Sequence, residues 1–366
     1  MMRRLVGRHG LPGRGVRALA YLVLPVAFPA VLLAGCSVHG PDYRRPEGAA
    51  IARPEAQGAF VGGDSAAFTP APVPDDWWRL YADPRLDALI EQALAANTDL
   101  RVAAANLARA DAALDAVASD RRVQAGVNAT TGYAQRSAEE ELLPGSPLAP
   151  HMVYALGASV SYQLDLTGQI ARAIEASDAD RAATQAAYDS VRVTVVANTT
   201  AAYLDACAAG READVARRAI ALQQRGTELT RRLAAAGREG TLAVRRAAAQ
   251  EAEIRASLPE ILARRQMALY RLAVLTGRPP AAFDRDVAQC VAEPRLARPI
   301  PIGDGAALLA RRPDVRRAEA ELHATTARIG VAEGDLYPHI TLGASAGSVG
   351  LAENLLASDS FKFSLG

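Results

Sequence analysis

Few residues in this sequence have the types and spacing that catalysis requires. The stretch GASAG at residues 343–347 fits the pattern G-x-S-x-G, in which Ser345 would be a nucleophile on a sharp strand-to-helix turn. Ser345 lies instead within a run of alternating residues, and no helical pattern follows it. The five histidines have no metal-ligand spacing, and no phosphate-binding glycine loop occurs. The sequence therefore predicts no enzyme, no metal and no cofactor other than a covalent lipid.

That lipid is predicted on Cys36. Several arginines precede an apolar run at residues 18–34, which two prolines interrupt and which ends in LLAGC. A basic start, a short apolar core and small residues at its end are typical of a secretory signal. Leu33–Cys36 resembles the bacterial lipobox, where the signal is cut and the cysteine carries lipid. We predict a signal peptide at 1–35 and lipidated Cys36; the alternative is an ordinary export signal with an incidental cysteine.

The other two cysteines carry less information. Cys207 lies in an alanine-rich helical pattern, where a small packing residue is the simpler interpretation. Cys290 lies in a predicted loop. A disulfide between them is compatible with an oxidising compartment, although nothing in their spacing supports it.

Two alternating stretches predict strands with unlike faces. In VYALGASVSYQLDLTGQ, the even positions from 154 to 166 are apolar, and Gly157, Ser159, Ser161 and Gln163 are small or polar. A second alternating run covers 123–133, and a segment rich in breakers connects the two. Each strand has about 11 residues, the length that a membrane strand needs. We predict a membrane hairpin; a soluble sheet with one face on a core is the alternative.

Helical patterns occupy most of the remaining chain. Asp83 is a good N-cap and Pro84 a good first residue for a helix to about 120. A second helix is predicted from 168 to about 236, roughly 68 residues and therefore about 100 Å long. A third returns from 242 to about 275, after a turn at 237–241. Since the two shorter helices together match the long one, we predict a tube wall of one long helix beside two half-length helices.

The segment before the first helix is rich in proline, glycine and alanine. We interpret residues 37–76 as an extended tail that wraps over other structure. Trp77 and Trp78 follow it and are predicted to be packing anchors for the tail, with a ligand platform as the alternative.

An internal repeat relates the two ends of the sequence. A shift of 215 places DLRVAAANLARADAAL at 99–114 on DVRRAEAELHATTARI at 314–329, and places the strand at 123–132 on PHITLGASAG. FKFSLG at 361–366 would open the next strand. The balance of 41 Lys and Arg against 40 Asp and Glu gives no reason to expect a nucleic-acid partner.

Together these stretches resemble the outer membrane factor family of TolC-like efflux channels, in its OprM/NodT-like lipoprotein branch. The matching segments are GCSVHGPDYRRP, WWRLYADPRLDALIEQALAANTDLRVAAANLARA, YQLDLTGQIARAIEAS, RRLAAAGREGTLAVRRAAAQEAEIRASLP and LLARRPDVRRAEAELHATTARIGVAEGDLYPHITL. The resemblance implies a homotrimer with a twelve-stranded β-barrel in outer-membrane lipid, above a periplasmic α-helical barrel of long helical hairpins. It also implies a periplasmic adaptor and an RND-type inner-membrane transporter as partners of an outer-membrane exit duct.

The resemblance also implies which face of the predicted strand contacts lipid and which contacts water. The even residues of 154–166 would face lipid, while Gly157, Ser159, Ser161 and Gln163 would line the lumen. The hairpin turn, with Arg232, Leu233, Gly237, Leu242 and Val244, would dock the adaptor; a solvated turn without a partner is the alternative. In the family pattern G-x-x-S-x-L-D-V, Gly240 and Ala243 replace the two polar residues.

The predicted organisation is a signal peptide (1–35), a lipidated tail (36–83), a first repeat (84–277), an equatorial linker (278–304) and an incomplete second repeat (305–366). Residues matching 152–277 are missing from the second repeat, so we expect either a fragment or a truncated gene. The alternatives to a channel are a periplasmic adaptor, a non-pore coiled-coil lipoprotein, and a truncated channel without function.

Overall fold

The computed structural model of this chain describes residues 38–135, 145, 149–282 and 285–366. The predicted signal peptide, Cys36 and most of the connection between the first two long strands lie outside the described residues. The chain divides into two compact units. The sheet unit comprises residues up to Arg44, Asp111–Asp180 and Glu321–Gly366; the hairpin unit comprises Arg45–Ala110 and Arg181–Ala320.

The α-helices follow the predicted order. They are α1 (Pro84–Ala96), α2 (Thr98–Ser119), α3 (Gln169–Ala235), α4 (Thr241–Leu275), α5 (Arg285–Ala288), α6 (Gly305–Arg311) and α7 (Pro313–Gly334). Short 3₁₀ segments lie at Ala50–Ala52, Pro54–Ala56, Trp77–Tyr81, Pro280–Ala282, Ala352–Asn354 and Ser358–Ser360. The predictions of a long outgoing helix and a half-length returning helix are confirmed to within one residue at each end, the usual uncertainty of helix termini.

The prediction of one continuous helix from 84 to 120 is wrong at Asn97. This residue has extended backbone angles, so α1 ends before it and α2 begins after it. Its side-chain oxygen accepts a hydrogen bond from the backbone N–H of Leu100 at 3.1 Å, and its amide nitrogen donates to the carbonyl of Leu275 at 3.1 Å. Asn97 therefore caps α2 and ties the α1–α2 junction to the end of α4.

The predicted start of α1 is confirmed. Asp83 accepts a hydrogen bond from the backbone N–H of Arg85 at 2.9 Å, and Pro84 occupies the first turn. The other carboxylate oxygen of Asp83 accepts from the hydroxyl of Tyr203 on α3 at 2.8 Å. Burial and the neighbouring Asp83 carboxylate raise the pKa of this tyrosine, so it remains a hydrogen-bond donor at all ordinary pH values.

The core of the hairpin unit is built from α1, α3, α4, the 3₁₀ segment before α1, and α5 with the residues that follow it. Its members are buried apolar residues: Trp78, Leu86, Leu89, Ile90, Val196, Ala202, Tyr203, Ala206, Cys207, Ala268, Leu269, Leu272, Val287 and Cys290. Trp77 packs against this cluster, edge-on to Trp78. The interpretation of the two tryptophans as packing anchors is confirmed.

Two sheets are present among the described residues. In the hairpin unit, β1 (Phe68–Thr69) pairs in parallel with a short strand near residue 300. The remaining strands are β2 (Gln124–Ala134), β3 (His151–Leu164), β4 (Ile300–Pro301, the partner of β1), β5 (Ile340–Gly350) and β6 (Phe361–Leu365). In the sheet unit, the antiparallel order is β2-β3-β5-β6. This confirms the predicted β2–β3 hairpin, the repeated strand and the strand at FKFSL.

Among the described residues, no helix combines the length and the apolar character needed to cross a membrane. The described ranges also contain no group of three or more His, Cys, Asp or Glu side chains that could hold a metal ion.

Candidate functional site

The strands of the sheet unit are paired so that residues of like chemistry lie opposite one another. In antiparallel pairs, directly opposed side chains point to the same face. Small or polar pairs on one face are Gln124–Ser161, Gly126–Ser159, Asn128–Gly157, Gln163–Thr341, Ser161–Gly343, Ser159–Ser345, Gly157–Gly347 and Ser345–Ser364. Apolar pairs on the other are Ala125–Val160, Val127–Ala158, Ala129–Leu156, Tyr162–Leu342, Val160–Ala344, Ala158–Ala346, Ala344–Leu365 and Ala346–Phe363. The register thus extends the alternation of β3 across four strands.

The four residues predicted to face a lumen, Gly157, Ser159, Ser161 and Gln163, all lie on this polar face. Their neighbours are equally small, and the hydroxyls of Ser345 and Ser364 lie 2.8 Å apart. A Cβ at Gly347, which lies opposite Gly157, would come within 2.6 Å of the backbone carbonyl oxygen of Leu156, so glycine permits the close strand approach there. That these residues share a face is a finding; that this face lines a lumen stays a prediction.

The opposite face is apolar, and the described residues leave most of it uncovered; near one end, the buried Ser348 hydroxyl donates to the carbonyl of Leu355. Its large side chains are mostly exposed: Val127, Tyr133, Met152, Leu156, Val160, Tyr162, Ile340, Leu342, Phe361, Phe363 and Leu365. Phe363 and Leu365 retain 89% and 87% of their accessible surface. A continuous apolar face of this extent is typical of a surface that contacts lipid or another protein.

Both outer strands of this sheet are open in the described chain. The order β2-β3-β5-β6 leaves β2 and β6 each with one edge that no described strand covers. Such an edge presents a row of backbone donors and acceptors that can pair with another strand.

The hairpin turn between α3 and α4 has a defined geometry. Gly237 has φ +76°, a left-handed conformation that glycine adopts without strain. The N–H of Arg238 donates to the carbonyl of Leu233 at 2.9 Å, and the N–H of Gly237 donates to Ala234 at 3.0 Å. These two bonds form a Schellman motif, which closes α3. Gly240, where the family pattern has a serine, is the N-cap of α4 and supplies no side-chain cap.

The predicted docking residues lie around this turn in a basic, partly apolar setting. Arg232 is exposed and pairs with Glu228 at 3.1 Å, and Leu242 keeps 59% of its surface accessible. Leu233 and Val244 are half-buried. Exposed basic side chains near them are Arg231, Arg238, Arg245 and Arg246. The turn thus combines guanidinium donors with one exposed leucine, a suitable surface for an acidic partner.

In the sheet unit, the tail is held by Arg172. This side chain is 6% exposed, donates to the backbone carbonyls of His39 and Gly40 at 3.1 Å each, and pairs with Asp42 and Glu175 at 2.7 Å each. The Arg172 guanidinium lowers the pKa of Asp42. Burial opposes ionisation of Glu175, but hydrogen bonds from His323 and Arg172 outweigh it and lower the pKa of that carboxyl. The prediction that the tail wraps over other structure is confirmed for residues 38–43.

Comparison with known proteins identifies this arrangement. The sequence profile described as outer membrane efflux protein matches residues 89–278, which is more than half of the chain. The chain belongs to the outer membrane efflux protein family. This assignment confirms the predicted resemblance and the localisation at the outer membrane.

Individual relatives support the same family assignment. Nodulation protein T of Rhizobium leguminosarum bv. trifolii is 28% identical over 330 residues, covering 87% of this chain and 65% of the relative. Toluene efflux pump outer membrane protein TtgC of Pseudomonas putida is 30% identical over 341 residues, covering 89% and 66%. Our chain thus spans slightly under two thirds of these curated relatives. The solved outer-membrane channel OprN has 32% identity and a TM-score of 0.77, over 90% of this chain and 72% of that one.

More distant structures support the fold alone. The CmeC channel of Campylobacter jejuni superposes with a TM-score of 0.72 at 18% identity. These likenesses confirm a TolC-like channel fold rich in long helices. The outer membrane efflux protein family consists of channels and not enzymes, and Ser345 lies mid-strand in β5 rather than at a strand-to-helix turn.

One covalent feature of this family member was not predicted from its sequence. Cys207 on α3 and Cys290 after α5 form a disulfide, with their Cα atoms 4.8 Å apart. The interpretation of Cys207 as only a packing residue is therefore wrong. An export signal together with two cysteines left over after Cys36 was the available indication, but their separation of 83 residues gives no local pattern to read. Cys36 itself lies outside the described residues, so its lipidation stays a prediction.

Proposed function

We propose that this chain is the outer-membrane channel component of a tripartite efflux system, a passive exit duct for drugs or other small molecules. The observation that carries the proposal is the in-register sheet, with one exposed apolar face and one face of small and polar residues. Such a sheet suits a wall between lipid and water.

Three copies would complete the wall. Each copy contributes four strands, so a trimer gives a twelve-stranded barrel in which β6 of one copy pairs with β2 of the next. Pairing satisfies the open backbone edges, which would each be costly in hydrocarbon. In this arrangement the apolar face contacts outer-membrane lipid, and Gly157, Ser159, Ser161 and Gln163 line the lumen.

The helices would continue the duct into the periplasm. Helix α3 has 67 residues, which corresponds to a length of about 100 Å. Its turn at 237–241 would dock a periplasmic adaptor through Arg232, Leu233, Gly237, Leu242 and Val244. The adaptor in turn would join an inner-membrane transporter of the RND type, which supplies the energy. A lipid on Cys36 would anchor the tail that Arg172 holds.

Ion conductance in planar bilayers tests the duct directly. We expect discrete conductance steps from the purified trimer, because the polar face leaves an aqueous path. A periplasmic adaptor, a non-pore coiled-coil lipoprotein and a truncated channel without function, the three alternatives, would each give no steps. Absence of conductance from correctly assembled trimers would therefore overturn the proposal.

Single cysteines introduced along β3 test which face of the strand contacts water. We expect cysteines at 157, 159, 161 and 163 to react in cells with a water-soluble maleimide, and those at 156, 158, 160 and 162 to stay unlabelled. Denatured samples control for intrinsic reactivity. Uniform labelling at odd and even positions would rule out a membrane barrel.

Metabolic labelling with palmitate tests the anchor. The wild-type chain should incorporate label and Cys36→Ser should not, whereas Cys207→Ser should label normally. Persistent labelling of Cys36→Ser would show that the lipid lies elsewhere.

Substitution at Gly237 tests the docking turn. Gly237→Trp places a bulky side chain at φ +76° and should abolish adaptor cross-linking while trimers still form. Gly237→Asn is the matched control, because asparagine tolerates this conformation and should keep cross-linking. Normal cross-linking of Gly237→Trp would place the docking site elsewhere.

A further inference from the structure

The Cys207–Cys290 disulfide lies deep in the core of the hairpin unit. Cys207 is fully buried and Cys290 is 5% exposed. They share a cluster with Tyr203, Leu269 and Leu272, which are also buried. A protein or reagent that exchanges disulfides must bring its own sulfur into line with one of these two, and the folded chain leaves no room for that approach.

Two further contacts hold the segment that carries Cys290 against α3 and α4. At Gly210, one turn beyond Cys207 on α3, a Cβ atom would overlap the carbonyl oxygen of Cys290, so only glycine lets the segment lie this close. The guanidinium of Arg265 on α4 donates to the carbonyl of Ala288 and, at 3.2 Å, to that of Cys290. We call residues 287–292 the docked segment.

The burial of both cysteines implies that they are oxidised before the docked segment packs. If the docked segment packed first, both thiols would be enclosed before any oxidant could reach them. A disulfide there must therefore form while residues 287–292 are still free of α3. Family membership places the chain at the outer membrane, so this stage falls after export, in a compartment where disulfides form.

We propose that Cys207 and Cys290 are a modification site for a periplasmic dithiol–disulfide oxidase, which joins them before the docked segment packs on α3. One cysteine thiolate attacks the disulfide of the oxidase and forms a mixed disulfide. The second thiolate then displaces the oxidase, which leaves as a dithiol carrying the two electrons and the two protons. Packing on Gly210 and Arg265 afterwards encloses the product and protects it from reductants.

This proposal does not rest on the channel function. It concerns only the two thiols, the docked segment and the compartment in which the chain folds. Its tests therefore use thiol counts and exchange rates instead of transport, so a failed conductance experiment would leave it standing.

Thiol counting in cells tests the need for the oxidase. The full chain is produced in cells with and without a periplasmic dithiol–disulfide oxidase, acid-quenched, denatured and tagged with a maleimide polymer. The double variant C207S/C290S gives the number of maleimide tags that Cys36 alone contributes. With the oxidase we expect the same count as this variant, and without it two more tags. Equal counts with and without the oxidase, whether high or low, would overturn the proposal.

Reduction kinetics test the predicted enclosure. In native buffer we expect a phosphine to reduce the bond at least tenfold more slowly than in denaturant, and equal rates would contradict the order of events. Gly210→Ala should speed native reduction several-fold, because the added Cβ displaces the docked segment. Gly226→Ala is the matched control on the same helix, since nothing lies within 4 Å of that position, and its rate should stay at the wild-type value. Equal rates for the two variants would show that the docked segment does not protect the bond.

Discussion

The hairpin unit and the sheet unit use apolar residues in opposite ways. In the hairpin unit, Leu86, Ile90 and Leu272 are fully buried against one another's helices. In the sheet unit, Val127 and Phe363 keep 81% and 89% of their surface exposed. The first unit stabilises itself by burial within its own chain. The second has an apolar face that the described residues leave largely exposed, so its stability depends on what surrounds it.

This contrast predicts a large effect when a core residue of the hairpin unit is truncated. Leu272→Ala should lower the free energy of unfolding by about 3 kcal/mol, because it removes a fully buried side chain and leaves a cavity. Val274→Ala, on the same helix but 72% exposed, should cost well under 1 kcal/mol. Urea titrations followed by circular dichroism give both values. Similar midpoints for the two variants would mean that the hairpin unit is not stabilised by this core.

In the sheet unit, the effect of a new charge on assembly should depend on whether its side chain faces lipid or water. Val160→Arg places a charge on the apolar face and should cost about 2–4 kcal/mol in lipid. Ser159→Arg, the adjacent residue on the polar face, should assemble almost normally. Assembly into lipid vesicles, measured as heat-modifiable mobility on gels, distinguishes them. If both variants assemble equally well, the two faces do not meet different media and the comparison fails.

The Arg172 network should contribute less, and the part due to its ion pairs should be present only above acidic pH. The pKa values of Asp42 and Glu175 are lowered in the fold, so the stabilisation is present above their ordinary values near pH 4 and is lost as pH falls further. Arg172→Met should reduce stability at pH 6 by about 1–2 kcal/mol and should flatten the loss between pH 4 and 2. Thermal unfolding at several pH values measures this.

The control for the Arg172 variant is Arg218→Met. Its pair with Asp214 is exposed on both sides, so removing it should change neither the stability nor its dependence on pH. An Arg172→Met protein with the wild-type acid dependence would show that other carboxyls dominate.

The smallest effect is expected at the α1–α2 junction. Asn97→Ala should cost about 1 kcal/mol, because the N–H of Leu100 loses its cap. Asn97→Asp keeps an acceptor for this N–H but loses the donor to Leu275, so it separates capping from the tie to α4. Denaturant unfolding should rank wild type, Asp and Ala in that order. A more stable Ala variant would show that a continuous helix is preferred there.

Much of the architecture was predictable because periodicity is strong. Alternation with period two identified β2, β3 and β5, and a long stretch without proline identified α3. The four residues assigned to one face of β3 do lie together, since strand geometry alone dictates it. What surrounds each face could not be predicted from the sequence, because a single sequence does not specify the medium or the neighbours that each face contacts.

Two features depended on contacts that sequence patterns do not encode. The break at Asn97 interrupts no apolar stripe, because Ala93 and Leu100, seven residues apart, continue the helical spacing on either side. It exists because the carbonyl of Leu275, far along the chain, accepts from the Asn97 amide. The proximity of Cys207 to Cys290 likewise joins positions 83 residues apart, and no local sequence pattern indicates it.

The closed loop between these cysteines also changes how the chain would carry mechanical load. Tension applied along the backbone passes from residue 207 to residue 290 through the sulfur–sulfur bond. The distal part of α3, the turn and all of α4 are therefore outside the load path. A pull on the two ends would release about 290 Å less extended chain than a reduced protein, given a separation of 83 residues and about 3.5 Å for each. The returning helix would stay folded under forces that straighten the segments on either side of the bond.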